Sequence, residues 1–309
     1  MENEIIKRIE TKTGVINLVE LLSKHLPGTD LNSLLLEVFD KKTGNITPAE
    51  LLKQYQANRY VHPAETDMIG LLTAELETLK FLREHNFQPI ELSPVSQLGS
   101  CSIIASVDQK KVISAVRNTE VTADATNAMA LHIADLRKSG VDRELLRFST
   151  VHRHVRCQPF KEKGFSAHFK VGCMVSSGRD TGNYEFEASN LLDHILTLTG
   201  LFKDVYRLDN ISFKLLKMDG YEFPERLLDV VFKHVTENEN TPEITIGEAQ
   251  PNNYYKGIQC KMIVEINERE IEIADGGFVD WTQQLLGNKK ERMLIFGFGL
   301  GFLYQLRNR

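Results

Sequence analysis

The sequence lacks the features that mark secreted and membrane-spanning proteins. No apolar run approaches the roughly 20 residues that a bilayer-spanning helix needs, and the first residues carry charges where a signal peptide needs an apolar stretch. The four cysteines, Cys101, Cys157, Cys173 and Cys260, include no CxxC pair. We therefore expect reduced thiols, a cytoplasmic location and no membrane association.

An excess of positive charge is also missing. The 37 basic and 42 acidic residues give a formal net charge of −5, so the chain as a whole does not attract phosphate backbones. The 309 residues are 42% hydrophobic, which is enough for the core of one large domain and a small accessory one.

Short helices are expected at the N-terminal end. Apolar residues recur at helical spacing within residues 15–22 and 31–39. Thr47, Pro48 and Glu50 supply an N-cap, a proline at the first helical position and the glutamate of a capping box. We expect residues 1–62 to form a helical module and residues 63–309 to form the main domain.

The main domain alternates helix and strand patterns. Helices are expected from Met68 to near Asn86 and over residues 125–138 and 185–198. Strands are expected over residues 87–92, 102–107, 111–116, 149–155, 169–175, 262–266, 269–274 and 293–298. This order predicts an α+β fold, with an antiparallel sheet flanked by helices.

Three segments resemble, in order, the signature motifs of class II aminoacyl-tRNA synthetases: residues 86–94, residues 151–169 and residues 297–306. The first resemblance would place Pro94 at a homodimer interface, although an ordinary helix and strand would also explain that segment. The third contains a GxGxG pattern with no βαβ continuation, which excludes a dinucleotide fingerprint.

The second segment implies a nucleotide site that could use ATP and magnesium. Arg153 would hold the α-phosphate and Phe169 would stack on adenine, with Arg156 and His168 nearby. A basic β-hairpin without a ligand is the alternative interpretation.

Two further segments are similar to histidyl-tRNA synthetase: Asn253-Tyr254-Tyr255-Lys256-Gly257-Ile258 and Asp275-Gly276-Gly277-Phe278-Val279-Asp280. The resemblance makes Asp124 a candidate partner for an ammonium group, and a helix N-cap explains Asp124 equally well. The candidate amino-acid pocket consists of Asp124, Thr126, Gln250, Asn253, Tyr254, Tyr255, Gly276 and Gly277.

The chain departs from that family where catalysis needs charge. Val155 and Gln250 stand where the family has a glutamate and an arginine, and Tyr304 replaces the arginine of the third motif. Val171 and Asn253 depart from the pattern as well. Because phosphoryl chemistry depends on charged donors, we expect no aminoacylation. No anticodon-binding domain is expected after residue 309, and tRNA is not an expected substrate.

Two functions remain open. The first is a regulatory paralogue that binds an amino acid or nucleotide and acts on a partner enzyme, as the ATP phosphoribosyltransferase regulatory subunit does. The second is an amino-acid-activating, adenylate-forming ligase with a non-tRNA acceptor, which would need Arg156, Lys170 and Arg292 to rebuild the ATP site.

A zinc site is disfavoured. His152 and His154 share one strand face, but Cys157 falls on the other, and Cys173 lies on a separate strand. No metal is therefore expected.

Overall fold

The N-terminal part of the chain is helical. The computed structural model describes residues 2–157, 166–248, 252–266 and 269–307. Its first helices are α1 (Glu2–Thr13), α2 (Leu18–Glu20), which continues as a π-helical turn over Leu21–His25, α3 (Gly28–Thr43) and α4 (Pro48–Ala57). The predicted capping box of α4 is confirmed. Thr47 Oγ1 accepts a hydrogen bond from the Glu50 N–H, and the Glu50 carboxylate accepts one from the Thr47 N–H.

Further α-helices and β-strands follow in the described residues. They are α5 (Met68–Glu84), β1 (Gln88–Pro89), β2 (Val95–Gln97), β3 (Ser114–Ala115), β4 (Thr119–Val121), α6 (Ala125–Lys138), β5 (Leu146–Val155), β6 (His168–Arg179), α7 (Glu185–Gly200), β7 (Ile211–Lys217), α8 (Pro224–Thr236), β8 (Glu243–Gly247), β9 (Lys256–Ile266), β10 (Arg269–Val279), α9 (Trp281–Leu286), β11 (Glu291–Phe298) and α10 (Leu300–Arg307).

The main sheet has eight strands in the order β1-β5-β6-β11-β10-β9-β7-β8. Neighbours from β5 to β7 are antiparallel, but β1 pairs with β5 and β7 with β8 in parallel. The expected α+β fold is therefore present with a mixed, mostly antiparallel sheet. The two parallel pairs arise because α6 and α8 lie on the connections between their strands, and such crossovers make parallel neighbours.

A second, three-stranded sheet has the order β2-β4-β3. The prediction of a strand over residues 102–107 is wrong, because the chain forms a π-helical turn over Ser100–Ile104. Glu120, which is fully buried on β4, stabilises this turn. Its carboxylate accepts hydrogen bonds from the N–H groups of Gly99 and Cys101 and from the hydroxyl of Ser100, at 2.7–3.1 Å.

Helices cover both faces of the large sheet. On one face, Leu191 and Ile195 of α7 pack with Phe213 of β7 in the larger core cluster. On the other, α6 and Trp281 of α9 pack with strand residues such as Ile295 in a separate cluster. The second face carries the cavity described below.

Close packing on the first face depends on a glycine in β6. A Cβ atom on Gly172 would lie 2.3 Å from ring atoms of Phe298, whose side chain is buried. Gly172→Ala should therefore lower the free energy of unfolding by about 1–3 kcal/mol, the usual cost of overpacking. Urea denaturation measures this change. Gly301→Ala, where an added Cβ meets no atom within 4 Å, is the control, and equal urea midpoints for the two variants would contradict the expectation.

Candidate functional site

A cavity of about 720 Å³ lies on the α6 side of the large sheet. Its floor comes from neighbouring strands: Val171 and Cys173 on β6, Ile295 and Gly297 on β11, Asp275 on β10 and Gln259 on β9. Phe169, also on β6, lies next to Arg156 at the mouth. The β6 residues alternate along the chain because alternate side chains of a strand share one face. The remaining lining residues are Cys101, Ala105, Ser106, Val107, Asp108, Lys111, Val112, Ala123, Asp124, Thr126, His154, Arg156, Asn252, Asn253, Tyr254, Tyr255, Phe298 and Gly299.

Asp124 caps α6 and also faces the cavity. One carboxylate oxygen accepts hydrogen bonds from the Thr126 N–H at 2.9 Å and the Thr126 hydroxyl at 2.6 Å. The other accepts one from the Tyr254 hydroxyl at 2.5 Å. Burial opposes ionisation, but electrostatic interaction with His154, the hydrogen bonds from Thr126 and Tyr254 and the charge of Arg156 keep the pKa of Asp124 below its usual value. The N-cap role is thus confirmed, and the carboxylate still lines the cavity.

His154 lies behind Asp124 and is neutral. Its Nε2 atom accepts a hydrogen bond from the Ala125 N–H at 3.0 Å, so the ring proton sits on Nδ1. The side chain is 1% exposed, and burial lowers the pKa of His154 to about 4. Its Nδ1 has no hydrogen-bond partner in the described part of the chain.

A second aspartate and tyrosine pair lies beside the first. Asp275 accepts hydrogen bonds from the Tyr255 hydroxyl at 2.9 Å and from the Gln259 side-chain amide at 2.8 Å. Burial raises the pKa of Asp275. The rings of Tyr254 and Tyr255 have centroids 4.8 Å apart, so the two pairs are adjacent. The sequence indicated Tyr255 but did not place Gln259 or Asp275 in the pocket, although Asp275 begins the second segment that is similar to histidyl-tRNA synthetase.

Gly276 and Gly277 do not line the cavity but shape its surroundings. An added Cβ on Gly277 would lie 2.8 Å from Cδ1 of Tyr255, and one on Gly276 would lie 2.3 Å from Cγ of Phe296. These glycines allow the two aromatic rings to pack against β10. The predicted direct contact with a ligand is not supported by this placement.

Among the described residues, two cationic side chains line the cavity, those of Lys111 and Arg156. Both are exposed and lie at its mouth. The Arg156 guanidinium lies 5.4 Å from the centroid of the Phe169 ring. Asn253 is also exposed at the mouth, whereas Gln250 lies outside the described residues.

The structure places Arg153 away from the cavity. Arg153 donates to Nδ1 of His168 at 2.8 Å, and Nε2 of His168 contacts the carbonyl oxygen of His62. Neither Arg153 nor His168 lines the cavity, because His154 and Arg156 occupy the cavity face of β5 and its continuation. This placement does not support the predicted contact of Arg153 with an α-phosphate in the cavity, and Arg156 is the arginine of this segment that reaches it.

Other predicted cations are engaged elsewhere. Lys170 forms an ion pair with Glu75 at 2.5 Å, and Arg292 pairs with Asp180 and Glu187 at 2.7 and 2.8 Å. Tyr304 donates a hydrogen bond to Asp67. None of these residues lines the cavity.

Pro94 is exposed next to β2, away from the lining residues. Within the described residues, no group of three or more His, Cys, Asp or Glu side chains is placed to hold a metal ion. A search of the same residues finds no helix that is both long and apolar enough to cross a membrane.

The neutral state of His154 makes stability depend on pH. Because its pKa is about 4 in the folded protein and about 6.5 in the unfolded chain, the unfolded state binds the proton more tightly. The free energy of unfolding therefore decreases as the pH falls from the unfolded-state pKa of His154 to its folded-state pKa. Between about pH 7.5 and pH 5.0 the His154 contribution should be about 2 kcal/mol.

Urea denaturation at both pH values tests this expectation. On acidification, the free energy of unfolding should fall by about 2 kcal/mol less in His154→Gln than in the wild type. His25→Gln, on the exposed turn after α2, is the control. Equal pH dependence in the wild type and His154→Gln would contradict the expectation.

Comparison with known proteins identifies the fold. No protein-family model matches the sequence, and no curated protein does. Among solved structures, an ATP phosphoribosyltransferase regulatory subunit/histidyl-tRNA synthetase from Bacillus halodurans C aligns with a TM-score of 0.61 and 11% identity, over 81% of this chain and 84% of that one.

Two other solved structures are similar. The histidyl-tRNA synthetase of S. aureus aligns with a TM-score of 0.61 and 10% identity, over 81% of this chain and 69% of that one. A histidine–tRNA ligase subunit from Alicyclobacillus acidocaldarius aligns with a TM-score of 0.56 and 10% identity, over 81% and 96%. At these identities the similarity is one of fold, and the fold of this chain is that of the class II aminoacyl-tRNA synthetases.

Proposed function

We propose that this chain is a non-aminoacylating paralogue of histidyl-tRNA synthetase that binds an amino acid or a nucleotide in the cavity and acts in a regulatory role. The observation that carries the proposal is the arrangement of Asp124 and Tyr254 inside one cavity with Arg156 and Phe169 at its mouth. These groups can bind ligands without any covalent step.

Each end of the cavity suits a different part of such a ligand. The Asp124 carboxylate is an acceptor for an ammonium group. At the mouth, the Phe169 ring offers a planar surface, and the Arg156 guanidinium can donate two parallel hydrogen bonds to a carboxylate or phosphate. An amino acid or a nucleotide carries a matching set of groups.

The charges disfavour the competing function, an adenylate-forming ligase. Adenylation needs cations placed where charge develops on the phosphate groups. Of the three cations expected to rebuild an ATP site, only Arg156 lines the cavity, since Lys170 and Arg292 are held in ion pairs elsewhere. ATP with magnesium thus remains a candidate ligand, and catalysis is not part of the proposal.

A regulatory role requires a protein partner. The similar fold of the Bacillus regulatory subunit/synthetase supports this part of the proposal. We also propose a homodimer that uses the region of Pro94, because Val95, Leu98 and Ile103 are exposed apolar residues close to it in sequence.

Residues 1–62 are proposed as a separate helical module that docks the partner. No described side chain of α1–α4 is buried, so these helices contribute nothing to the main core. Apolar residues such as Phe39, Leu51 and Leu52 are left exposed there.

Ligand binding can be tested by thermal denaturation. A ligand that binds only the folded state must raise the melting temperature, so at least one amino acid, ATP or AMP should raise it. Asp124→Asn should abolish the shift caused by an amino acid, because it removes the charge while asparagine remains a good N-cap. Asp229→Asn, on the exposed side of α8, should retain the shift. If no amino acid or nucleotide shifts the wild type, the proposal fails.

The choice between the two functions can be tested by ATP–pyrophosphate exchange. We expect no exchange above background with any of the standard amino acids, since Lys170 and Arg292 are held in ion pairs outside the cavity. Exchange that depends on one amino acid and is lost in Arg156→Ala would replace the regulatory proposal with the ligase.

A further inference from the structure

Two carboxylates line the interior of the cavity, those of Asp124 and Asp275. Each is hydrogen-bonded only by neutral donors: Thr126 and Tyr254 for Asp124, and Tyr255 and Gln259 for Asp275. None of the ion pairs found among the described residues includes either carboxylate. Burial raises the pKa of Asp275, so a bound cation would stabilise its charged form.

The donors for an anion lie at the other end. Arg156 and Lys111 are at the mouth. The Nδ1 atom of His154 is buried from the cavity as well as from solvent, so Arg156 and Lys111 are the groups that a ligand carboxylate can reach. A guanidinium can bind a carboxylate through two parallel hydrogen bonds.

The floor between these groups is apolar and open. Val171, Cys173 and Ile295 form it, and Gly297 has no side chain there. An added Cβ on Gly297 would have only Val171 within 4 Å, at 3.7 Å. The strands that carry His154 and Asp275 are three strand spacings apart, roughly 14 Å, and side chains reach inward from both. This shape suits a linear ligand with a methylene chain.

Resting on the proposed function, we infer that the ligand is a basic amino acid with an aliphatic side chain, such as lysine or ornithine. Its α-ammonium group binds Asp124, its carboxylate binds Arg156, and its side-chain ammonium group binds Asp275. Asp275 and Gln259 are thereby the specificity-determining residues of the cavity. Gln259 orients the Asp275 carboxylate through its amide at 2.8 Å.

Lysine and norleucine separate this inference from the proposed function, because they differ by the terminal ammonium group. Isothermal titration calorimetry should show lysine or ornithine binding at least about tenfold more tightly than norleucine, a difference of about 1.4 kcal/mol. Asp275→Asn should reduce lysine binding to the level of norleucine and leave norleucine binding unchanged. Asp124→Asn should weaken both ligands, and Asp229→Asn neither.

The inference is overturned if norleucine or histidine binds as tightly as lysine and ornithine, or if Asp275→Asn weakens lysine and norleucine equally. Should ATP, AMP or histidine bind while the basic amino acids do not, the inference fails and the proposed function stands. Binding of no ligand at all refutes both. The wild-type comparison of lysine with norleucine remains decisive even if Asp275→Asn does not fold.

Discussion

The cavity depends on two adjacent tyrosines that reach two different aspartates. Tyr254 bonds to Asp124 at the start of α6, and Tyr255 bonds to Asp275 on β10. The segment before β9 therefore ties a helix of the wall to a strand of the floor. Close packing of Tyr255 against β10 is permitted only because Gly277 has no side chain. Without these bonds, the wall and the floor would have no direct polar link at this point.

The two faces of β5 have separate roles. One face and its continuation carry His154 and Arg156 into the cavity. The other carries Arg153 to His168, which in turn contacts the backbone of His62. Because side chains alternate along a strand, an error of one residue in the predicted register places every side chain on the opposite face. Motif resemblance pointed to Arg153, whereas the strand brings His154 and its continuation brings Arg156 to the cavity.

Local signals predicted much of the fold. The capping box of α4 and the bounds of α6 are as expected, since both are encoded by neighbouring residues. The turn at Ser100–Ile104 was missed because its stabilising carboxylate, Glu120, lies about twenty residues further along. In the site, Asp124, Tyr254 and Tyr255 came from motif resemblance. Gln259 and Asp275 are diagonal neighbours on β9 and β10, because the register pairs Gln259 with Gly277 and Asp275 with Lys261.

The Asp275 carboxylate has a consequence for how this protein can be engineered. Natural chains are seldom at their stability optimum, because function can require an unfavourable group. Asp275 is such a group, since burial raises its pKa. A selection for thermostability alone would therefore favour a neutral residue at position 275, whereas Asp124, whose carboxylate caps α6, would be retained.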